Sequence, residues 1–312
     1  MRNSMDKNKM NKSLILIAVS LIACTFAFAQ NVDESNPLGA REVMLKFVEL
    51  NNKQLLQTDE AHLFFSGKAS EWKMAWFGKF SGQPDKIVTV EKDFSVARVQ
   101  TIQKNSRIVD LYFYLRFDNG WKIRSMRAMA QTGWLESIVE SYKNNAAPTA
   151  EMKESLANAE LTLSSDKILT DWFQTNRSAL DKLTALALLE TKPKPEKVIP
   201  TPKKRQAGRN VAVGVATADV LDQSGMNYEW LTLERITENT QKFPKSAAAL
   251  KNLHFTALET KFTGDIEITI GGVTDNAAGF IYSPKDKPPQ IDGWRYIWVE
   301  KLAAGWYLFR TT

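Results

Sequence analysis

The apolar residues of this chain change their spacing several times, and each change marks an element. From Leu38 onward, Val43, Phe47, Val48, Leu50, Leu55 and Leu56 recur at helical intervals, with Arg41, Glu42, Lys46, Glu49 and Lys53 between them. That pattern predicts an amphipathic helix with Pro37 in its first turn. Thr58-Asp59-Glu60 reads as a cap before a second short helix around Ala61 to Phe65, ended by Ser66-Gly67. Trp72, Trp76, Phe77 and Phe80 follow as an aromatic cluster suited to packing on a sheet. The period then shortens to two. Strands are predicted over 86–91, 95–103, 107–117 and 121–129, with Asp118-Asn119-Gly120 as a hairpin turn. Lys122, Arg124 and Arg127 give the last of these strands a wet or electropositive face.

Helical spacing returns from Ala150 to Glu190. One piece covers 149–163. Ser165 caps a second, whose Ile168, Leu169, Trp172, Phe173, Leu180, Leu183, Leu186 and Leu189 form a stripe expected to face the protein's own core. Residues 191–210 break the pattern with four prolines, seven basic residues and one acidic residue. Such a stretch is an extended, solvated linker. Past it, 211–217 fits a strand, 228–236 fits helix or strand, and 246–254 fits a helix. Residues 263–271 alternate strictly, with Ile266, Ile268 and Ile270 on one face. Strands at 277–282, 294–302 and 306–310 close the chain, the last two as a hairpin. The expectation is an α+β fold in parts: a helix-plus-curved-sheet domain at 37–145, a helical connector at 146–190, the linker at 191–210, and a second, smaller α+β domain with an antiparallel sheet at 211–312.

The first residues change the picture of where the protein works. Arg2, Lys7, Lys9 and Lys12 precede an apolar run, Leu14 to Phe28, of about 15 residues, short of the roughly 20 a bilayer span requires. Ala27-Phe28-Ala29 supplies small residues at the positions a signal peptidase reads. The expectation is a signal peptide over 1–29, cleavage after Ala29, and a periplasmic or secreted product. Leu21-Ile22-Ala23-Cys24 is the competing feature, because Cys24 could carry a lipid anchor. Cys24 is the single cysteine of the 312-residue chain, so a product cleaved after Ala29 has no disulfide, thiolate site or cysteine nucleophile. Half of the +6 formal charge lies in the leader. The remainder is too weak to suggest a nucleic-acid partner. Lys192 to Arg209 offers weak contact with an anionic envelope surface, although a plain spacer accounts for the same composition.

An amphipathic helix, a short helix and an antiparallel meander closing on DNGWKIRSMRAM together resemble the NTF2-like (cystatin-like) superfamily over residues 37–135. The resemblance implies a sheet wrapped around the helix, often over a conical pocket. It also implies a choice of roles, since some members are isomerases, dehydratases or cyclases and many are ligand-binding or accessory domains. The second half of the chain resembles no family.

Candidate chemistry is sparse. In NTF2-like enzymes an Asp or His at the pocket mouth acts as general base. Asp59 and His62, three residues apart on one helical face, are the catalytic candidates on that resemblance. A helix cap and a surface imidazole explain the same residues. His254, beside Leu253 and Phe255, reads as packed, and two distant histidines without a cysteine make no zinc site. Gly271-Gly272-Val273-Thr274-Asp275-Asn276 has neither the lysine of a phosphate loop nor the carboxylates of an EF-hand, and reads as a turn. No Gly-x-Ser-x-Gly elbow is present. Trp294, Tyr296 and Trp298 alternate onto one face, which is a carbohydrate or peptide platform if exposed and core if buried. No cofactor or metal is expected. The reading is an exported, non-enzymatic protein binding a small ligand or an envelope protein, with a pocket enzyme and an envelope adaptor as the alternatives.

Overall fold

Helix α1 (Ala40–Asn52) buries Val43, Phe47, Val48 and Leu50, whose spacing predicts it, together with Met44. The computed structural model describes residues 39–56, 58–71, 78–103, 106–129, 132–190, 211–214, 243–261, 263–273, 276–292 and 295–312. The leader at 1–29 with Cys24, the aromatics Trp72, Trp76 and Phe77, the linker at 191–210, the ambiguous 228–236 and Trp294 lie outside the described residues. After α1 come the one-turn helix α2 (Asp59–His62), a 3-10 turn at Gly67–Glu71, and strands β1 (Lys79–Phe80), β2 (Lys86–Glu91), β3 (Phe94–Ile102), β4 (Ile108–Phe117) and β5 (Trp121–Arg127).

These strands form one antiparallel sheet. β3 pairs with β4 over its whole length, from Phe94↔Arg116 to Ile102↔Ile108, and β4 pairs with β5. β1 and β2 share the other side of β3: β2 takes its first half and β1 its last two residues. The turn into β5 uses positive φ at Asn119 (51°) and Gly120 (120°), as the Asn-Gly pair predicts. Alternation sends Ala97, Val99, Phe113, Leu115 and Ile123 to the face that receives α1. There Phe47 lies 5.0 Å from Phe113, 5.7 Å from Phe65 and 5.8 Å from Phe80, centroid to centroid.

Three helices follow: α3 (Thr132–Lys143), α4 (Ala150–Leu163) and α5 (Asp166–Glu190). Thr149 caps α4 by accepting the backbone N–H of Met152 through its hydroxyl, 3.2 Å away. The second sheet comprises β6 (Val211–Gly214), β7 (Ala257–Thr260), β8 (Ile266–Val273), β9 (Asn276–Tyr282), β10 (Tyr296–Ala303) and β11 (Trp306–Thr311), with α6 (Pro244–Asn252) between β6 and β7. Its order is β10-β11-β9-β8-β7-β6, so the chain passes from β9 to the far edge and returns to insert β11 between them. One face carries Leu258, Ile266, Ile268, Ile270, Phe280, Trp306 and Leu308. It packs on Leu169, Phe173, Leu180 and Leu183 of α5 and on Leu250 of α6. The class is therefore mixed α+β, with two antiparallel sheets and helices between them in sequence.

The other face of the second sheet meets the first sheet. Phe94, Val96, Tyr112 and Tyr114 form a single core with Ile281, Tyr296, Trp298, Tyr307 and Phe309. Tyr112 stacks on Trp298 at 5.1 Å, and the Tyr114 hydroxyl donates to the carbonyl of Ile297 at 2.9 Å. The first sheet is thus covered on both faces, by α1 and by the second sheet, and the described residues form one compact unit.

Candidate functional site

Asp59 and His62 occupy the two ends of α2, and both are exposed. Tyr296 and Trp298 lie in the core between the sheets, with Trp298 wholly buried. Those two of the three residues of the aromatic face are packing. His254 departs from its expectation. It is exposed at a φ of 58°, in the turn that ends α6, and its backbone carbonyl accepts from the side chain of Asn158 at 2.7 Å. The neighbour that packs is Phe255, because the left-handed turn rotates the imidazole outward while Phe255 enters the core.

The constellation that stands out is a cluster of charges where both sheets meet the start of α5. Arg98 on β3 is on the face of the first sheet that meets the second. Its guanidinium donates to both oxygens of Asp85, to Asp166 at 3.1 Å and to Glu300 at 2.7 Å. Arg310 on β11 donates through Nε to the second oxygen of Asp166 at 2.9 Å. Its Nη1 and Nη2 reach the carbonyls of Thr162, at 2.9 Å, and Ser164, at 2.6 Å. The Tyr112 hydroxyl also donates to Asp166, at 2.8 Å. Glu300 receives the indole N–H of Trp298 at 3.2 Å and pairs with Lys86 at 3.0 Å. One carboxylate, Asp166, is therefore gripped from both sheets at once.

Asp166 is the first residue of α5, where negative charge faces the positive end of the helix dipole. Its own backbone N–H is accepted by Asp110 on β4 at 2.7 Å, and the other oxygen of Asp110 accepts the side-chain amide of Gln100 at 3.0 Å. A strand of the first sheet thus supplies a cap for a helix of the second half.

Burial alone would lower the affinity of Arg98 for its proton. The hydrogen bond to Asp85 and the charges of Asp166 and Glu300 more than reverse this, so it stays charged. Arg310 is held charged in the same way, mainly by Asp166. Burial, reinforced by Asp166, pushes the Tyr112 hydroxyl well above the ordinary phenol range, so it remains a donor. Asp110 is raised to about 6, first by burial and then by the neighbouring Asp166.

Chemically this cluster is a fastener. A buried ion network is stable only when each charge has partners, and here each has them within the protein. Among the described residues no group of His, Cys, Asp or Glu is arranged to hold a metal ion, and no helix is long and apolar enough to cross a membrane. In the Gly271-Gly272 stretch, Gly271 faces Thr162 and Asn158 of α4 with no room for a Cβ. That glycine serves helix-on-sheet packing. Sequence patterning points to neither Arg98, Asp110, Asp166, Glu300 nor Arg310. Charges alternating along a strand read as its wet face, and nothing local shows that a second sheet covers them.

No protein-family model, curated protein or solved structure matches this chain.

Proposed function

We propose that this is an exported, non-catalytic protein that works by holding a ligand or an envelope protein on its surface, with an NTF2-like arrangement over residues 37–135. The observation that carries the reading is the filled interior of the described residues. The space between α1 and the first sheet holds Phe47, Phe80 and Phe113, all buried. The charges between the sheets are paired with one another. Acid–base catalysis requires a titratable group within reach of a substrate in a sheltered site. Asp59 and His62 stand exposed on a single helical turn, which is a poor place to shelter a proton transfer.

Two measurements test this reading. The full chain is expressed in a Gram-negative host, and the purified product is weighed by mass spectrometry after fractionation. Export predicts a periplasmic or secreted product beginning at Gln30; a lipidated Cys24 start would move it to the membrane. An intact leader with cytosolic recovery would reject export. Photo-cross-linking groups are then placed at exposed positions in living cells. A binding role predicts discrete adducts that survive replacement of Asp59 and His62 by alanine. Turnover of any substrate that disappears with that replacement would favour the enzyme.

A further inference from the structure

We propose that Asp110 is a proton-binding site of the folded protein, placed so that mild acidification strengthens the hold of the first sheet on α5. The geometry sets up the uptake. Asp110 is buried, and its two described hydrogen bonds come from neutral donors, the backbone N–H of Asp166 and the amide of Gln100. The nearby cations are turned elsewhere. Arg98, from β3, donates to Asp85, Asp166 and Glu300. Arg310, from β11, donates to Asp166 and to the carbonyls of Thr162 and Ser164. From α5 the group facing Asp110 is Asp166, a second carboxylate; from β4 itself it is the neutral hydroxyl of Tyr112. Asp166 takes both guanidinium groups, and Asp110 is left buried beside a like charge. Burial beside a like charge makes the Asp110 carboxyl bind a proton more readily than it would in water.

The proton has a place to go. One oxygen of Asp110 continues to accept the N–H of Asp166 whether or not the carboxyl is ionised. The other oxygen takes the proton from solvent and donates it to Gln100, whose amide rotates to present its oxygen instead of its nitrogen. The cap survives, and the repulsion with Asp166 is removed. The pKa of about 6 for Asp110 agrees with this arrangement.

The linkage runs opposite to that of an ordinary paired carboxylate. The folded value lies above the ordinary 3.8, so the folded state holds more proton than the unfolded state between about pH 4 and 6. Stability from this group is greatest below pH 4 and declines as pH rises through 6.

The test is a carboxyl-carbon NMR titration of the full chain from pH 3 to 8, with Asp110 assigned through its own backbone correlations. The expected midpoint is near 6, a proton affinity roughly 100-fold above that of a free aspartate. A midpoint at or below 4 overturns the proposal. Urea unfolding of Asp110→Asn adds a second readout. The expected result is loss of the decline in stability between pH 4 and 6, with stability at pH 7.5 equal to or above that of the parent. An unchanged decline in the variant overturns the proposal as well. If the variant does not fold, the titration of the parent decides alone.

Discussion

Asp110 accepts the first backbone N–H of α5 from Asp166, 2.7 Å away and 56 residues later in the chain. One strand of the first sheet therefore sets where the longest described helix begins. The Asp166 carboxylate then fixes Arg98 and Arg310, one from each sheet, so the two halves meet at a point of opposite charges inside an aromatic core.

Removing that point should be costly. Asp166→Ala leaves two buried guanidinium groups short of their counter-charge, and breaking a buried pair typically costs about 3–5 kcal/mol. Urea unfolding at pH 7 should show an unfolding free energy lowered by that amount, with both sheets losing structure together. A cost below about 1 kcal/mol, the range of exposed pairs, would mean the network contributes little.

Trp298 should behave as core. Its ring stacks on Tyr112, beneath the Arg98 guanidinium at 5.5 Å. Trp298→Ala is expected to lose about 3–5 kcal/mol, the usual cost of truncating a buried large aromatic. Had this residue been part of an open platform, its removal would cost little stability and much binding.

Asp59→Ala and His62→Ala should each change stability by no more than about 0.5 kcal/mol, as surface positions do. Thermal unfolding measures that directly, and a large loss for either would place the residue in a packed or paired setting.

Gly279→Ala should destabilise by about 1–3 kcal/mol, because added volume in a close-packed site forces neighbours to move. A Cβ at this position would overlap the carbonyl oxygen of Ile268, which is backbone in the adjacent strand and cannot yield as a side chain can. Gly82, where a Cβ meets nothing, is the control and should tolerate alanine in the same assay.

Asp286 should give the acid limb of the stability profile. Lys301, the Tyr307 hydroxyl and the backbone N–H of Gly305 hold it down to about 2. Its folded value lies below the ordinary 3.8, so its contribution is present above pH 4 and lost as pH falls from there toward 2. Asp286→Asn should flatten stability over that window and leave the region above pH 4 with its shape unchanged.

Much of the architecture was legible in local pattern, and the reason is physical. The strands from 86 to 127 alternate, and their hairpin turn is written in Asn119-Gly120. Ile266, Ile268 and Ile270 announce one buried face, and all three are fully buried against the helices. The stripe on α5 reads correctly at Leu169, Phe173, Leu180 and Leu183, while Ile168 and Leu189 at its margins are exposed. Helix α3 was not anticipated: Leu135 is its one fully buried residue, and it rests mainly on α4. Strand β7 has four residues, too few to display a period. The charge cluster lay beyond local reading altogether. Arg98 and Glu300 are separated by 202 positions, and a charge on an alternating strand looks solvated until a second sheet covers it.

The claim on which the rest depends is that the two sheets stand or fall as one body. Native-state hydrogen exchange across β3, β4, β9 and β11 tests it most directly. The account predicts that the slowest amides of all four strands open with the same free energy, and that urea shifts them in parallel. Exchange of β3 and β4 through a separate, less stable opening, while β9 and β11 stay protected, would contradict it.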